Sequence, residues 1–287
     1  MPLIFVPTPL GNLGDVTLRA LEALRGATLV VAEDTRVARK LLHALQIDAP
    51  DVWSYREQNA AGATPGILER ARTERVVVTT DAGMPGVSDP GTALVAAARA
   101  AGVEVVVLPG PSAALGVALL SGFPLQRFGF EGFPARTSGA RRKQFLEALR
   151  SGRTTLWFES PQRIGSALAD LAAVDSEARV FLVREYTKLH EQQIAGTPES
   201  VAAALGPDVK GEIAFAIASG DVPDERGAAS DAEIDALLSR GHRVADVAKI
   251  LARDGRGERN DLYARAGALK RARDAKGDPA PVPETEA

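Results

Sequence analysis

Carboxylates and arginines stand directly after several short apolar runs of this 287-residue chain. At the end of a strand such side chains would face a ligand, where a carboxylate can accept a proton from a hydroxyl and a guanidinium can hold a phosphate. Each could equally serve as a helix cap or a surface ion pair, so their catalytic role is a hypothesis. The candidates are Glu33, Asp34, Arg36, Glu159, Arg184 and Glu185.

Four loops rich in glycine and proline also follow apolar runs. They span residues 8–12, 81–86, 109–112 and 159–161. Glycine lets a backbone approach a ligand closely, and proline fixes the shape of a loop. Any one of them could be only a tight turn. Because open α/β sheets bind ligands beyond the carboxyl ends of their strands, the four together predict a small-molecule pocket at one edge, with Asp81 and Asp89 flanking the second loop.

The composition excludes several kinds of site. The chain has no cysteine, which rules out disulfides, thiolate zinc sites and iron–sulfur clusters. His43, His190 and His242 lack the spacing of metal ligands, so no metal is predicted. Neither a dinucleotide fingerprint nor a nucleotide triphosphatase loop is present. The net charge is −3, so any attraction to nucleic acid has to be local.

The apolar runs alternate with amphipathic stretches, a pattern typical of an α/β fold. Continuous apolar runs favour strands that are buried on both faces of a parallel sheet. The predicted strands are 3–6, 29–31, 76–79, 103–108, 154–158, 180–183 and 213–217. The predicted helices are 18–24, 37–45, 93–101, 113–120, 142–149, 164–173 and 199–205. Ser160 and Thr197 each precede a proline, which predicts a capped helix start.

Changes of pattern divide the chain into two α/β domains and an appendage. The predicted divisions are a first domain over 1–110, a second over 111–220, a linker over 221–229, a helical tail over 230–273 and a disordered end over 274–287. Ser230 and Glu233 form a capping box at the start of the tail. The chain opens on a strand rather than a signal peptide, and no run is long enough to span a membrane, so a cytoplasmic protein is predicted.

Ordered motifs in the loops carry a resemblance to a known family. They are VPTPLGNLGD (6–15), AEDTR (32–36), DAGMPGVSDPG (81–91), LPGPSA (108–113), FEGF (130–133), FESPQR (158–163), REYTK (184–188) and KGE (210–212). The chain resembles the tetrapyrrole-methylase (class III) superfamily and, within it, the bacterial 16S ribosomal RNA (cytidine-2′-O)-methyltransferases. It departs from their pattern at Met84, Gly86 and Pro161, which bears on the substrate more than on the fold.

The resemblance implies two α/β domains of the tetrapyrrole-methylase type with a cleft between them, plus a small helical tail. It implies S-adenosyl-L-methionine as cofactor, 16S ribosomal RNA of the small subunit as partner, and a homodimer. The reaction would methylate the ribose 2′-hydroxyl of a decoding-centre cytidine. The implied cofactor-binding residues are Pro9, Leu10, Gly11, Asp81, Ala82, Gly83, Met84, Ser112, Ala113, Phe158 and Ala214. The residues expected to bind RNA are Arg163, Lys188, Arg256, Arg259 and Arg265.

Two other functions stay open at this point. Methylases of corrin or sirohaem precursors share the fold, but their first loop is of the Gly-x-Gly-Pro-Gly-Asp type, from which residues 7–12 depart. A non-catalytic RNA-binding assembly factor with a vestigial pocket is the second alternative. Transfer of label from the cofactor to small ribosomal subunits would separate the three.

Overall fold

A five-stranded parallel sheet occupies the first part of the chain in a computed structural model, which describes residues 1–48, 50–88, 91–219, 229–253 and 256–276. Its strands are β1 (Leu3–Phe5), β2 (Leu29–Ala32), β3 (Asp51–Ser54), β4 (Val76–Val78) and β5 (Val105–Val107). They lie in the order β3-β2-β4-β1-β5. Because side chains alternate along a strand, Val76 and Val78 enter one core and Val77 enters the other.

Helices cover both faces of this sheet, as a parallel sheet requires. They are α1 (Leu18–Arg25), α2 (Thr35–Ala44), α3 (Ala60–Thr73) and α4 (Thr92–Ala100). Ile67 of α3 and Leu94 of α4 belong to the core on one face, whereas Leu24 of α1 and Leu42 of α2 belong to the core on the other. The carboxyl ends of the five strands are left for the loops.

The second sheet is mixed rather than parallel. Its strands are β6 (Phe128–Gly132), β7 (Thr154–Glu159), β8 (Val180–Arg184), β9 (Gln192–Gly196) and β10 (Ile213–Ile217), in the order β6-β7-β10-β8-β9. β10 runs antiparallel to both β7 and β8. Its helices are α5 (Ala113–Leu120), α6 (Ser138–Arg150), α7 (Pro161–Val174) and α8 (Pro198–Leu205). On one face α5 packs through Val117, and on the other Trp157 lies between Phe145 and Phe215.

The chain divides into two compact units: residues 1–148 with 153–218, and residues 149–152 with 219–287. The first contains both sheets. The second contains α9 (Asp231–Ser239), α10 (Val244–Arg253) and α11 (Arg259–Lys276) around a core of its own, which includes Ile234, Val247 and Leu262. The predicted capping box is present, since Ser230 and Glu233 exchange hydrogen bonds.

The α/β fold class is confirmed, whereas some local predictions are wrong. β3, β6, β9 and α3 were not predicted, because β3 and β9 are partly exposed edge strands, two of the five residues of β6 are glycine, and α3 contains Pro65. The hydroxyl of Ser160 makes no capping hydrogen bond, whereas Thr197 caps α8. Asp89, residues 221–228 of the predicted linker and residues 277–287 of the predicted disordered end lie outside the described residues.

Candidate functional site

The loops after β1 and β4 are tied to each other by backbone hydrogen bonds. The N–H of Thr8 donates to the carbonyl of Gly83, and the N–H of Gly83 donates to the carbonyl of Thr8, both at 3.0 Å. The buried hydroxyl of Thr8 donates to the carbonyl of Thr80 at 3.2 Å. Gly83 has a φ of +81°, and the side chain of Leu10 lies directly over it, so a Cβ there would be both strained and 2.9 Å from a leucine methyl. These bonds fix Leu10 at the rim of the sheet.

Leu10 forms one wall of a cavity of about 350 Å³ that both sheets line. Most of its lining is apolar, and the volume falls in the range of small-molecule sites. Phe158 is held there by edge-to-face contacts with Phe130 (4.9 Å between ring centroids) and Phe133 (6.0 Å). Five residues predicted to bind the cofactor line this cavity: Leu10, Ala82, Ala113, Phe158 and Ala214. An apolar wall with an aromatic ring suits the adenine of an adenosyl cofactor.

The other residues predicted to bind the cofactor lie outside this lining. They are Pro9, Gly11, Gly83, Met84, Ser112 and Asp81. Gly83 supports Leu10, and Ser112 caps α5 by accepting a long hydrogen bond, 3.5 Å, from the N–H of Leu115. Asp81 lines a second cavity instead. The structure therefore gathers about half of the predicted set around one space and puts the rest in the loops that shape it.

The second cavity is larger, about 930 Å³, and far more polar. It lies over the loops that follow β2, β3 and β4, and its lining includes Glu33, Asp34, Arg56, Glu57 and Asp81. Ser88 lines both cavities, so they meet at this residue. An apolar space and a charged space therefore adjoin at the carboxyl edge of the first sheet. We call them the apolar cavity and the charged cavity.

Asp34 is a carboxylate of the charged cavity that two arginines hold. Its Oδ1 accepts from the backbone N–H of Arg36 at 2.8 Å, so it caps α2, and from Arg36 Nε at 3.0 Å. Its Oδ2 accepts from the far nitrogen of Arg36 at 2.6 Å and lies 3.4 Å from Arg56. The side-chain and backbone hydrogen bonds from Arg36 hold the pKa of Asp34 well below its usual range. Asp34 is thus a weak proton acceptor and a strong anchor for two guanidinium groups.

Those two arginines differ in how they are held. Arg36 lies 82% exposed although it is bidentate to Asp34, and its hydrogen bonds raise its own pKa above the ordinary value. Arg56 also donates from Nε to the carbonyl of Glu33 at 2.9 Å. Their orientation is fixed while much of each guanidinium faces solvent, which is the arrangement that binds phosphate well.

Glu159 stands at the end of β7 with its carboxylate buried. One oxygen accepts from the N–H of Ser160 at 2.7 Å, and the other lies 3.1 Å from Arg163. Arg163 also donates to the carbonyls of Pro134 and Ala135. Arg163, predicted to bind RNA, therefore has partners within the protein, and so does the predicted catalytic carboxylate beside it.

Glu185 and Lys188 pair with each other and with Glu212. The ammonium of Lys188 donates to Glu185 Oε1 and to Glu212 Oε2, both at 2.9 Å. The hydrogen bond from Lys188 and that from the Glu212 backbone lower the pKa of Glu185. Arg184 binds other partners than this group: it donates hydrogen bonds to Gln192 and to the carbonyl of Lys210. Of the six predicted catalytic residues, only Glu33 and Asp34 line the charged cavity, with Arg36 bound to Asp34.

In the helical tail, two of the predicted RNA-binding arginines make ion pairs. Arg256 binds Glu233 at 2.7 Å and Arg265 binds Asp231 at 2.5 Å, whereas Arg259 is exposed at the start of α11. Across the described residues, no group of three His, Cys, Asp or Glu side chains is arranged to hold a metal ion, and no helix is long and apolar enough to cross a membrane.

Comparison with known proteins places the chain in a family. The family model of Tetrapyrrole (Corrin/Porphyrin) Methylases matches residues 2–202. A ribosomal RNA small subunit methyltransferase I of Synechocystis sp. is 37% identical over 269 residues, which are 91% of this chain and 95% of the relative. The protein of that name from Thermotoga maritima is 42% identical over 68% of this chain and 87% of its own length. The chain belongs to the ribosomal RNA small subunit methyltransferase I family.

Solved structures share the fold of this family member. Diphthine synthase superposes with a TM-score of 0.57 at 20% identity, over 76% of this chain and 90% of that one. Uroporphyrin-III C-methyltransferase from Thermus thermophilus, complexed with S-adenyl homocysteine, gives 0.54 at 20% identity, over 77% and 98%. Family membership confirms the predicted enzyme class, a methyltransferase, and S-adenosyl-L-methionine as its cofactor.

Sequence reasoning missed several residues that line the two cavities of this methyltransferase. Arg56 follows β3, a strand that was not predicted. Tyr186 and Glu212 line the apolar cavity. Glu212 precedes β10, and because β10 runs antiparallel, its beginning lies at the same edge as the ends of β7 and β8. A search at the starts of strands as well as at their ends would have found it.

Proposed function

We propose that this methyltransferase acts on the ribosomal RNA of the small subunit, and that its acceptor is the ribose 2′-hydroxyl of a decoding-centre cytidine. The names of the curated relatives support the class of RNA. The finer target rests on the resemblance of the loop motifs. A homodimer, which the same resemblance implies, would be checked by light scattering.

The observation that carries the proposal is the meeting of the two cavities at Ser88. Leu10, Phe158 and Ala214 would hold the adenosyl part of the cofactor in the apolar cavity. Arg56 in the charged cavity, with Arg36 bound to Asp34 beside it, would hold the RNA backbone, and the carboxylates of the cavity would hold the ribose. The acceptor oxygen and the cofactor would then approach each other across the shared boundary, as an in-line displacement needs.

Bound S-adenosyl-L-methionine supplies an electrophilic methyl group. The chain's own residues then have two tasks: holding the ribose in place and receiving the hydroxyl proton. Asp34, with its lowered pKa, suits the first task because it fixes Arg36 and Arg56. Glu33 and Asp81 also line the charged cavity, and they are better candidates than Asp34 for accepting the proton of the 2′-hydroxyl. Glu159 forms an ion pair with Arg163, and Glu185 forms one with Lys188. These two carboxylates would therefore keep the loops in position rather than accept the proton of the 2′-hydroxyl.

The test is transfer of tritium from methyl-labelled S-adenosyl-L-methionine to isolated small ribosomal subunits. Label in the RNA, in a nucleotide whose 3′ phosphodiester resists alkali, is the expected result, because a methylated 2′-oxygen cannot attack that phosphate. Label in an alkali-sensitive nucleotide would refute ribose methylation. RNA binding without transfer would favour an assembly factor, and transfer to a tetrapyrrole would favour the rival methylase.

A further inference from the structure

Lys188 connects loops that belong to different sheets. Its ammonium binds Glu185 and Glu212, at the edge of the second sheet. Its aliphatic stem crosses Gly11, in the loop that follows β1 of the first sheet. The contact is so close that a Cβ on Gly11 would overlap Cγ of Lys188 and lie 3.1 Å from Cδ. The side chain of Lys188 thus packs tightly against the loop after β1 while its ammonium binds the edge of the second sheet.

Both ends of this connection adjoin the apolar cavity. Leu10, next to Gly11, lines it from the first sheet, and Glu212 lines it from the second. Glu185 also accepts a hydrogen bond from the backbone N–H of Glu212 at 2.9 Å. Gly211, with a φ of +89°, lies against the Glu185 carboxylate so closely that a Cβ would overlap it. We call the four residues Gly11, Glu185, Lys188 and Glu212 the clasp. The clasp joins the wall of the apolar cavity that contains Leu10 to the wall that contains Glu212.

The loop that carries Lys188 is held in a costly conformation. Glu185 and Thr187 have φ values of +55° and +66°, in the left-handed region that non-glycine residues avoid. The N–H of Thr187 donates to Glu191 at 2.7 Å, and the N–H of Lys188 donates to the carbonyl of Glu185. These bonds hold the turn that aims Lys188 at Gly11. A turn of this kind is retained where the surrounding structure over-determines it.

We propose that Lys188 is a positioning residue for the methyl donor: it sets the spacing of the Leu10 wall and the Glu212 wall, and so the affinity for the donor. The inference rests on the proposed use of the apolar cavity for the cofactor. It replaces the sequence-based expectation that Lys188 binds RNA, because two carboxylates already hold its ammonium. The two roles differ in which substrate is affected when the ammonium is removed.

The experiment compares Lys188→Met, which keeps the stem over Gly11, with Lys188→Arg, which keeps the charge. Lys143→Met is the matched control, because Lys143 is an exposed lysine paired only loosely with Glu147, at 3.9 Å on α6. Calorimetry gives the Kd for S-adenosylhomocysteine, and steady-state kinetics give KM for the donor and for small subunits. We expect Lys188→Met to raise the donor Kd and KM about tenfold or more, since it removes charged hydrogen bonds. Lys188→Arg should recover part of the loss, and KM for subunits should change less than twofold.

Unchanged donor affinity in Lys188→Met, with a raised KM for subunits, would overturn the inference in favour of RNA binding. A lower melting temperature with unchanged donor affinity would also overturn it, as a purely structural role. Gly11→Ala gives an independent reading, because its Cβ displaces the stem while the ammonium stays, and it should also weaken donor binding. Calorimetry on the wild-type protein separates this inference from the proposed function. If the wild-type protein bound no S-adenosylhomocysteine, the proposed function itself would fail, whereas normal wild-type binding with unchanged binding in Lys188→Met would overturn only the role of Lys188.

Discussion

The backbone N–H of Asp34 donates a hydrogen bond to the Oδ1 atom of Asp81 at 3.1 Å. The two residues are 47 positions apart, but they follow β2 and β4, which are neighbours in the sheet. Both line the charged cavity. The bond fixes the side chain of Asp81. Because it uses the backbone N–H of Asp34, the carboxylate of Asp34 remains available to bind Arg36 and Arg56. Hydrogen bonds and ion pairs therefore connect Asp81, at the edge of the sheet, through Asp34 to the two arginines proposed to hold the RNA.

Replacing Asp34 should abolish turnover while leaving the donor bound. In Asp34→Ala the guanidinium groups of Arg36 and Arg56 lose their anchor, so we expect kcat to fall about 100-fold, the scale of misplacing a bound substrate. The Kd for S-adenosylhomocysteine should stay within twofold, because Asp34 does not line the apolar cavity. Glu22→Ala, an exposed change on α1, is the control. Full activity of Asp34→Ala on small subunits would refute the assignment.

Phe158→Ala should weaken donor binding without preventing RNA binding. The ring lines the apolar cavity and is fixed by Phe130 and Phe133. Loss of stacking on a base is of the order of 1–3 kcal/mol, so the donor Kd should rise about tenfold. Phe128→Ala removes an exposed ring from β6 outside the lining and serves as the comparison. Equal effects of the two changes in calorimetry would show that Phe158 makes no special contact.

Glu185 and Lys188 should both stay ionised between about pH 6 and 9, so the clasp itself should add no pH dependence to donor affinity there. The pKa of Glu185 is lowered from 4.5, so its contribution is present above that value and is lost as the pH falls through the lowered pKa. Burial lowers the pKa of Lys188, but hydrogen bonds to Glu185 and Glu212 outweigh it and raise the pKa above 10.5. Its contribution is present below 10.5 and is lost only as the pH rises through the raised pKa. A titration of the donor Kd near neutral pH that is present in the wild-type protein and absent from Lys188→Met would contradict a fully ionised clasp.

Breaking the buried ion pair of Asp170 should destabilise the first compact unit. Asp170 and Arg141 are both buried, and Ser138 and Arg142 also donate to the carboxylate at 2.7 Å. Asp170→Ala leaves a buried guanidinium without its counter-charge, so the free energy of unfolding should fall by about 3–5 kcal/mol in urea denaturation. Glu147→Ala breaks an exposed pair and should cost less than about 1 kcal/mol. Similar losses for both would argue against a buried ion pair.

Removing residues 224–287 should weaken RNA binding far more than donor binding. Residues 230–273 contain ten Lys or Arg against seven Asp or Glu, and Arg259 is among the exposed cations. Loss of phosphate contacts would lower the salt dependence of RNA affinity together with the affinity itself. Filter binding at several salt concentrations measures both, and calorimetry measures the donor. An equal fall in the two affinities would contradict a docking role for the tail.

The sequence by itself determined the fold class, most strands and helices, and the loops that carry the chemistry. The strand Ile213–Ile217 and the helix Ala113–Leu120 were predicted to the residue, because each is a continuous apolar run in the sequence. Glycine and proline in the loops report local backbone needs, as at Gly83. The family motifs added the cofactor and its enzyme class. All of these are properties of neighbours along the chain.

Only the tertiary structure decided which of the predicted charged residues meet. It bound Lys188 to Glu185 and Glu212, placed Arg56 beside Asp34, and made the second sheet mixed, so that the start of β10 joins the strand ends of β7 and β8. The reason is physical: a hydrogen bond or an ion pair depends on distances of about 3 Å between residues that are remote in sequence, and no local pattern specifies them. Strand order and direction set those distances.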